Sequence, residues 1–151
     1  DLPLATRFVS SMQGTLGIGG NLSEWTTEEL AEAAEWIATY KTIRETVQFG
    51  RQYRLKADRV MTSLMQYTSH DQTVILAVAP MRKHGIGHYH FRLAGLEATT
   101  LYQVEDRQLS GAYLMQQGLT WNYTNDYEAR CLRIQPVHRS IPTSESKEPI
   151  V

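Results

Sequence analysis

A single change of period divides this chain. Between Trp25 and Gly50 the apolar residues recur at helical spacing, and from Gln52 onward apolar and polar residues alternate in twos. The helix announces its own ends. Thr26 and Glu29 have the spacing of a capping box, in which each side chain satisfies the other's backbone N–H, and Trp25 and Leu30 occupy the two positions of a hydrophobic staple. Leu30, Ala33, Ala34, Ile37, Tyr40 and Val47 form the predicted apolar face. Glu24, Glu28, Glu29 and Glu32 at the start, with Lys41 and Arg44 near the end, complement the helix dipole. Gly50 is the expected stop.

Upstream, Phe8 to Leu22 begins as a strand candidate and ends in the glycine run Gly14, Gly17, Gly19, Gly20. Downstream, the predicted strands are Gln52–Leu55, Val60–Tyr67, Thr73–Ala79, Gly87–Leu93, Thr100–Val104, Gly111–Met115, Leu119–Trp121 and Glu128–Ile134. Ser69–Gln72 and Lys83–Gly85 read as hairpin loops between them. Short strands with a turn about every ten residues predict an antiparallel sandwich and not βαβ units. The segment after Val137, rich in Ser, Pro, Thr and Glu, is predicted to be a disordered tail. The chain opens at Asp1 inside what reads as a working structural unit, so it is expected to be the end of a larger enzyme: a last strand and helix, then a terminal β-domain.

Composition narrows the function classes. A formal charge of -1 with no basic stripe gives no reason to expect nucleic acid. The longest apolar stretch, Val74 to Ala79, is too short to span a bilayer as a helix. The one cysteine, Cys131, allows no internal disulfide and leans toward a reducing compartment, so a cytoplasmic location is the expectation. Two sequons, Asn21-Leu22-Ser23 and Asn122-Tyr123-Thr124, are of a kind that arises often by chance.

No motif amounts to a self-sufficient site. Gly17-Ile18-Gly19-Gly20 fits neither the dinucleotide fingerprint nor a P-loop, and reads as a tight turn into the helix. His84, His88 and His90 are the only histidine cluster. His88 and His90 share one face of a strand, but no third ligand stands at a familiar spacing, so no metal is expected. Cys131 has no orienting partner and reads as a buried cysteine. Trp121, Tyr123 and Tyr127 suit either a sugar-stacking platform or the sandwich core, with the core favoured. Asp126 and Glu128 are paired carboxylates by sequence only. No catalytic residue, cofactor site or metal site is therefore assigned.

Several stretches nevertheless resemble the C-terminal part of glycoside hydrolase family 36 α-galactosidases. Ser11-Met-Gln-Gly-Thr-Leu-Gly-Ile-Gly-Gly-Asn-Leu22 with Trp25-Thr-Thr-Glu-Glu-Leu30 is similar to the last strand and helix of that family's catalytic (β/α)₈ barrel. Ile37–Arg44, Val47-Gln-Phe-Gly50 and Tyr53-Arg-Leu55 resemble the exit from the barrel. Leu109–Met115, Gly118-Leu119, Asp126-Tyr127 and Cys131–Ile134 resemble the close of its terminal β-sandwich. The resemblance implies residues 1–50 as the end of the barrel, 51–136 as an antiparallel sandwich domain and 137–151 as a tail. It further implies a retaining enzyme acting on α-1,6-linked galactosides such as melibiose and raffinose, with two aspartates on earlier strands as nucleophile and acid/base. Neither aspartate motif is in this sequence, so the chain by itself is expected to be inactive and the galactoside to be held by the rest of the barrel. The Gly17–Asn21 turn would lie on the active-site face, since barrel chemistry sits at the C-terminal ends of strands. A homo-oligomer is a further implication. A stand-alone carbohydrate-binding module and a galactosyl-transferring relative are the alternative readings.

Overall fold

The computed structural model describes residues 2–81 and 85–137. His84 and the predicted tail lie outside the described residues.

The chain builds three layers. Helix α1 (Leu4–Ser11) and helix α2 (Thr27–Phe49) form the first. A six-stranded antiparallel sheet forms the second, from β1 (Arg51–Arg54), β2 (Ser63–Thr68), β3 (Thr73–Val78), β5 (Leu101–Val104), β6 (Arg107–Ser110) and β8 (Ala129–Pro136), in the order β1-β2-β3-β8-β5-β6. The third is a two-stranded sheet, β4 (Gly87–Phe91) with β7 (Leu119–Tyr123). The predicted sandwich is thus present in unequal form, mostly antiparallel sheet with a few helices.

Strand β3 explains the layering. Its run Val74-Ile-Leu-Ala-Val78 is apolar at every position, the pattern of a strand covered on both faces. Val74, Leu76 and Val78 join Val9, Met12, Tyr40, Ile43 and Val47 in a core beneath the helices. Ile75 and Ala77 face the other way, into a core shared with Tyr89, Phe91, Trp121 and Tyr123 of the small sheet. The first of these cores crosses residue 50, the boundary that the resemblance implies.

Helix α2 keeps its predicted cap: Glu29 N–H donates to Thr26 Oγ1 at 3.1 Å, and Thr26 N–H to Glu29 Oε2 at 2.9 Å. Its buried face is rotated from the expected one. Ala33, Tyr40, Ile43 and Val47 are buried with Trp36 and Ile37 half-covered, whereas Leu30 is 44% exposed and Ala34 is exposed. Gly50 ends the helix in ordinary extended backbone, φ −72, and not in the left-handed stop. Glycine fits there because a Cβ would collide with the carbonyl oxygens of Thr46 and Thr68.

Three elements differ from expectation. The strand proposed to begin at Phe8 is helical: α1 buries Phe8 and Val9, with Met12 at its C-cap, and no described segment offers a strand neighbour to complete a ladder. The described residues by themselves do not show a barrel portion. Gly111–Met115 is also helical, within α3 (Gly111–Gln116), because the Ser110 hydroxyl accepts the Tyr113 N–H at 3.1 Å and nucleates a turn that buries Leu114. β6 is a strand despite its polar sequence. It pairs with β5 through the two-residue loop Glu105-Asp106, where Glu105 accepts a positive φ of 54. The remaining predicted strands recur with shifted ends; β2, for instance, begins at Ser63 and not at Val60.

Candidate functional site

The segment after α1 is held from two sides. Tyr40 Oη donates to Gly14 O at 2.7 Å, Tyr67 Oη to Gln13 O at 3.1 Å, and Gln13 Nε2 to Ser63 Oγ at 2.8 Å. Beyond these anchors the glycine turn leaves the body of the protein and rejoins it at the short 3₁₀ turn Leu22–Glu24, which Asn21 caps by accepting the Ser23 N–H at 3.2 Å. Gly20 needs its glycine, with φ +123. Gly14, Gly17 and Gly19 do not, for an added Cβ meets nothing within 4 Å. Their small size leaves open space on the outer side of the turn.

Between this turn and α1 lies a cavity of about 130 Å³, lined by Arg7, Phe8, Ser11, Gly17, Ile18 and Trp25 among others. The Arg7 guanidinium sits 5.6 Å from the centre of the Trp25 ring, and Phe8 stacks on Trp36 with centroids 6.5 Å apart. Among the described residues no carboxylate lines the cavity, so they offer it no general acid or base. It is also smaller than the roughly 300–1,000 Å³ usual for ligand pockets. Arg7 and Trp25 were not singled out as partners by sequence, since the pairing depends on where the loop returns.

The other candidates are dispersed. His88 Nδ1 lies 2.6 Å from Asn122 Oδ1 across the small sheet, and His90 Nε2 bonds to the Gln117 carbonyl. Both therefore serve local hydrogen bonds, and no group of three or more His, Cys, Asp or Glu is placed to hold a metal among the described residues. Cys131 is half-buried under the helices, and burial pushes its thiol up to about 11 against the opposing Arg133 charge, the reverse of an activated nucleophile.

The aromatic residues settle as core. Trp121 and Tyr123 are buried, with Trp121 4.7 Å from Phe91 and Tyr123 5.5 Å from Tyr89, both edge-to-face. Arg130 closes the open end of this cluster, its guanidinium 4.9 Å from the Tyr123 ring centre and 5.6 Å from that of Trp121. With two of its three rings inside, the supposed sugar platform of Trp121, Tyr123 and Tyr127 does not form. Glu128 is a turn-closing carboxylate: it accepts the Thr124 N–H at 2.9 Å and the Asn125 N–H at 3.2 Å and pairs with Arg130 at 3.5 Å. Burial pushes its pKa up, but the two N–H groups and Arg130 outweigh that and hold it below the usual carboxylate range. No helix among the described residues is long and apolar enough to cross a membrane.

Residues 62–134 match the glycosyl hydrolase family 36 C-terminal domain. The chain is 31% identical over 130 residues to a bifunctional α-galactosidase/sucrose kinase of Mediterraneibacter gnavus, covering 82% of this chain and 14% of that protein. It is 31% identical over 120 residues to an α-galactosidase of Lactobacillus acidophilus, covering 77% of this chain and 16% of that one. Among solved structures, the galactosidase domain of an α-galactosidase–sucrose kinase superposes with a TM-score of 0.80 at 29% identity, over 87% of this chain and 19% of the other. The chain thus spans less than a fifth of the length of each of these relatives. On the match across β2 to β8 and these likenesses along most of its length, the chain belongs to glycoside hydrolase family 36, and residues 62–134 are that family's C-terminal domain.

Proposed function

We propose that this chain is the C-terminal part of a retaining α-galactosidase that removes terminal α-1,6-linked galactose from melibiose- and raffinose-type oligosaccharides, and that the chain itself is structural and inactive. The reading is carried by the family match over residues 62–134 together with a candidate cavity that no carboxylate of the described residues lines. Retaining glycoside hydrolysis needs two carboxyl groups about 5 Å apart. Glu128 closes a turn, and the remaining family-type machinery belongs to the part of the enzyme outside these residues. Residues 1–50 are the end of the catalytic barrel in this reading and 51–136 the sandwich that follows it.

The test compares two proteins. The intact parent should release galactose from melibiose or raffinose with retention at the anomeric carbon, followed by NMR, while residues 1–151 alone should release none. Hydrolysis by the 151-residue chain, or no hydrolysis by the parent, overturns the proposal. Ile18→Trp in the intact enzyme asks whether the glycine turn borders the galactoside pocket. Ile18 is 42% exposed beside the cavity. A raised KM is expected, and unchanged kinetics removes the turn from the pocket.

A further inference from the structure

Charge is unevenly placed along this nearly neutral chain. Residues 1–40 carry six carboxylates and one arginine, whereas residues 41–59 carry Lys41, Arg44, Arg51, Arg54, Lys56 and Arg59 against only Glu45 and Asp58. Asp58 is already engaged, its Oδ1 accepting the His90 N–H at 2.8 Å. The cationic stretch contains β1, which is an edge of the six-stranded sheet and, among the described residues, pairs only with β2.

No described residue covers the backbone of that edge. Leu55 N–H bonds to Leu64 O at 3.1 Å, so by the two-residue alternation of an antiparallel ladder Arg51 and Tyr53 also turn toward β2, while Gln52 and Arg54 turn their N–H and C=O outward. A hollow lies at each end of the edge. One, of about 520 Å³, has Lys41, Arg44, Phe49 and Arg51 in its wall along with Glu45 and Asp71; the other, of about 510 Å³, has Arg54, Lys56, Arg59 and Val60 along with Asp58. Phe49 and Val60 are the most exposed large hydrophobic side chains among the described residues, at 82% and 85%.

Charged side chains often serve simply to blunt a sheet edge. Blunting accounts for the arginines but not for an exposed apolar side chain at each end. An occupant that satisfies all three features is an extended segment with apolar anchors and carboxylates. A second copy of this chain is disfavoured, because edge-to-edge pairing would bring Arg51, Arg54 and Lys56 of both copies together. We propose that the outer edge of β1 receives an extended acidic segment of the same polypeptide, from outside residues 1–151, as an added strand anchored on Phe49 and Val60. This rests on the reading that the chain is part of a longer α-galactosidase. The segment completes the ladder at Gln52 and Arg54 and neutralises the cations on either side, the mode known as β-augmentation.

The experiment uses the intact parent enzyme with a photo-crosslinking amino acid in place of Phe49, and in parallel follows amide exchange at Gln52 and Arg54. An intramolecular crosslink to an acidic segment outside residues 1–151 is expected. Exchange at the two amides should be about 100-fold slower than in the triple variant Arg51→Glu, Arg54→Glu, Lys56→Glu. A crosslink to a second molecule, a crosslink within residues 1–151, no crosslink, or exchange as fast in the parent as in the variant each overturns the inference. Galactoside hydrolysis by the same preparation separates the two proposals. An active enzyme with fast-exchanging amides loses the docked strand and keeps its assigned function; an inactive protein with slow-exchanging amides shows the opposite.

Discussion

Tyr123 carries the buried side-chain polar atom that lacks a hydrogen-bond partner among the described residues. The ring is well used, packed edge-on against Tyr89 and covered by Arg130, but the hydroxyl contributes only its desolvation. Burial accordingly raises its pKa far above that of a free phenol, with Arg130 opposing. Tyr123→Phe should therefore stabilise the protein, by about 1–3 kcal/mol if the full penalty is released, read as a higher urea midpoint at an unchanged slope. Glu128 behaves in the opposite sense. Its folded pKa lies below the unfolded value of about 4.3, so its contribution is fully present above that value and is lost as pH falls through the folded pKa. Glu128→Gln should flatten this part of the acid limb of a stability–pH curve while leaving the rest unchanged.

At the scale of elements, what was legible depended on whether the signal was local. The start of α2 was written in four residues, Thr26 to Glu29, and both reciprocal bonds are present. Thr26→Ala should cost about 1 kcal/mol, measurable by chemical denaturation, because it orphans the Glu29 N–H. Strand β3 was legible from its unbroken apolar run, and the Ser69–Gln72 loop from its composition. The rotation of α2's buried face was not legible. Leu30 is as apolar as Ile43, and the choice between adjacent stripes was made by Tyr67, Val74 and Leu76, which are remote in sequence. Helices α1 and α3 were misread because runs of six to eight residues with several apolar members fit either period. β6 has no apolar alternation at all and exists because a tight loop returns it to β5. The aromatic platform was decidable in principle. Leu119, Trp121 and Tyr123 alternate with Thr120 and Asn122, so they face one way, and in a sheet with one wet face the apolar set goes inside.

For the whole molecule, four of the ten exposed large hydrophobic side chains among the described residues, Leu2, Ile18, Leu22 and Leu30, belong to the first thirty residues. A protein of this size seldom leaves such residues uncovered on one segment without a use for them. The 151-residue chain alone should bind an apolar fluorescent dye more strongly than an ordinary compact domain, and the intact parent should not. Dye binding no greater than that of a compact control would argue against the enzyme-terminus reading.

Strand β3 finally bears on how such a protein can be recombined. Val74, Leu76 and Val78 lie under the helices while Ile75 and Ala77 belong to the sandwich, so one strand is a common wall between two rooms. A gene fusion that transplanted the sandwich from residue 51 onward would strip the cover from one side of that wall and leave its apolar side chains in water. Crossovers placed ahead of Leu4 carry the helices along and keep both rooms closed. Successful exchanges of this C-terminal piece between relatives should therefore cluster upstream of α1, far from the point where the sequence changes period.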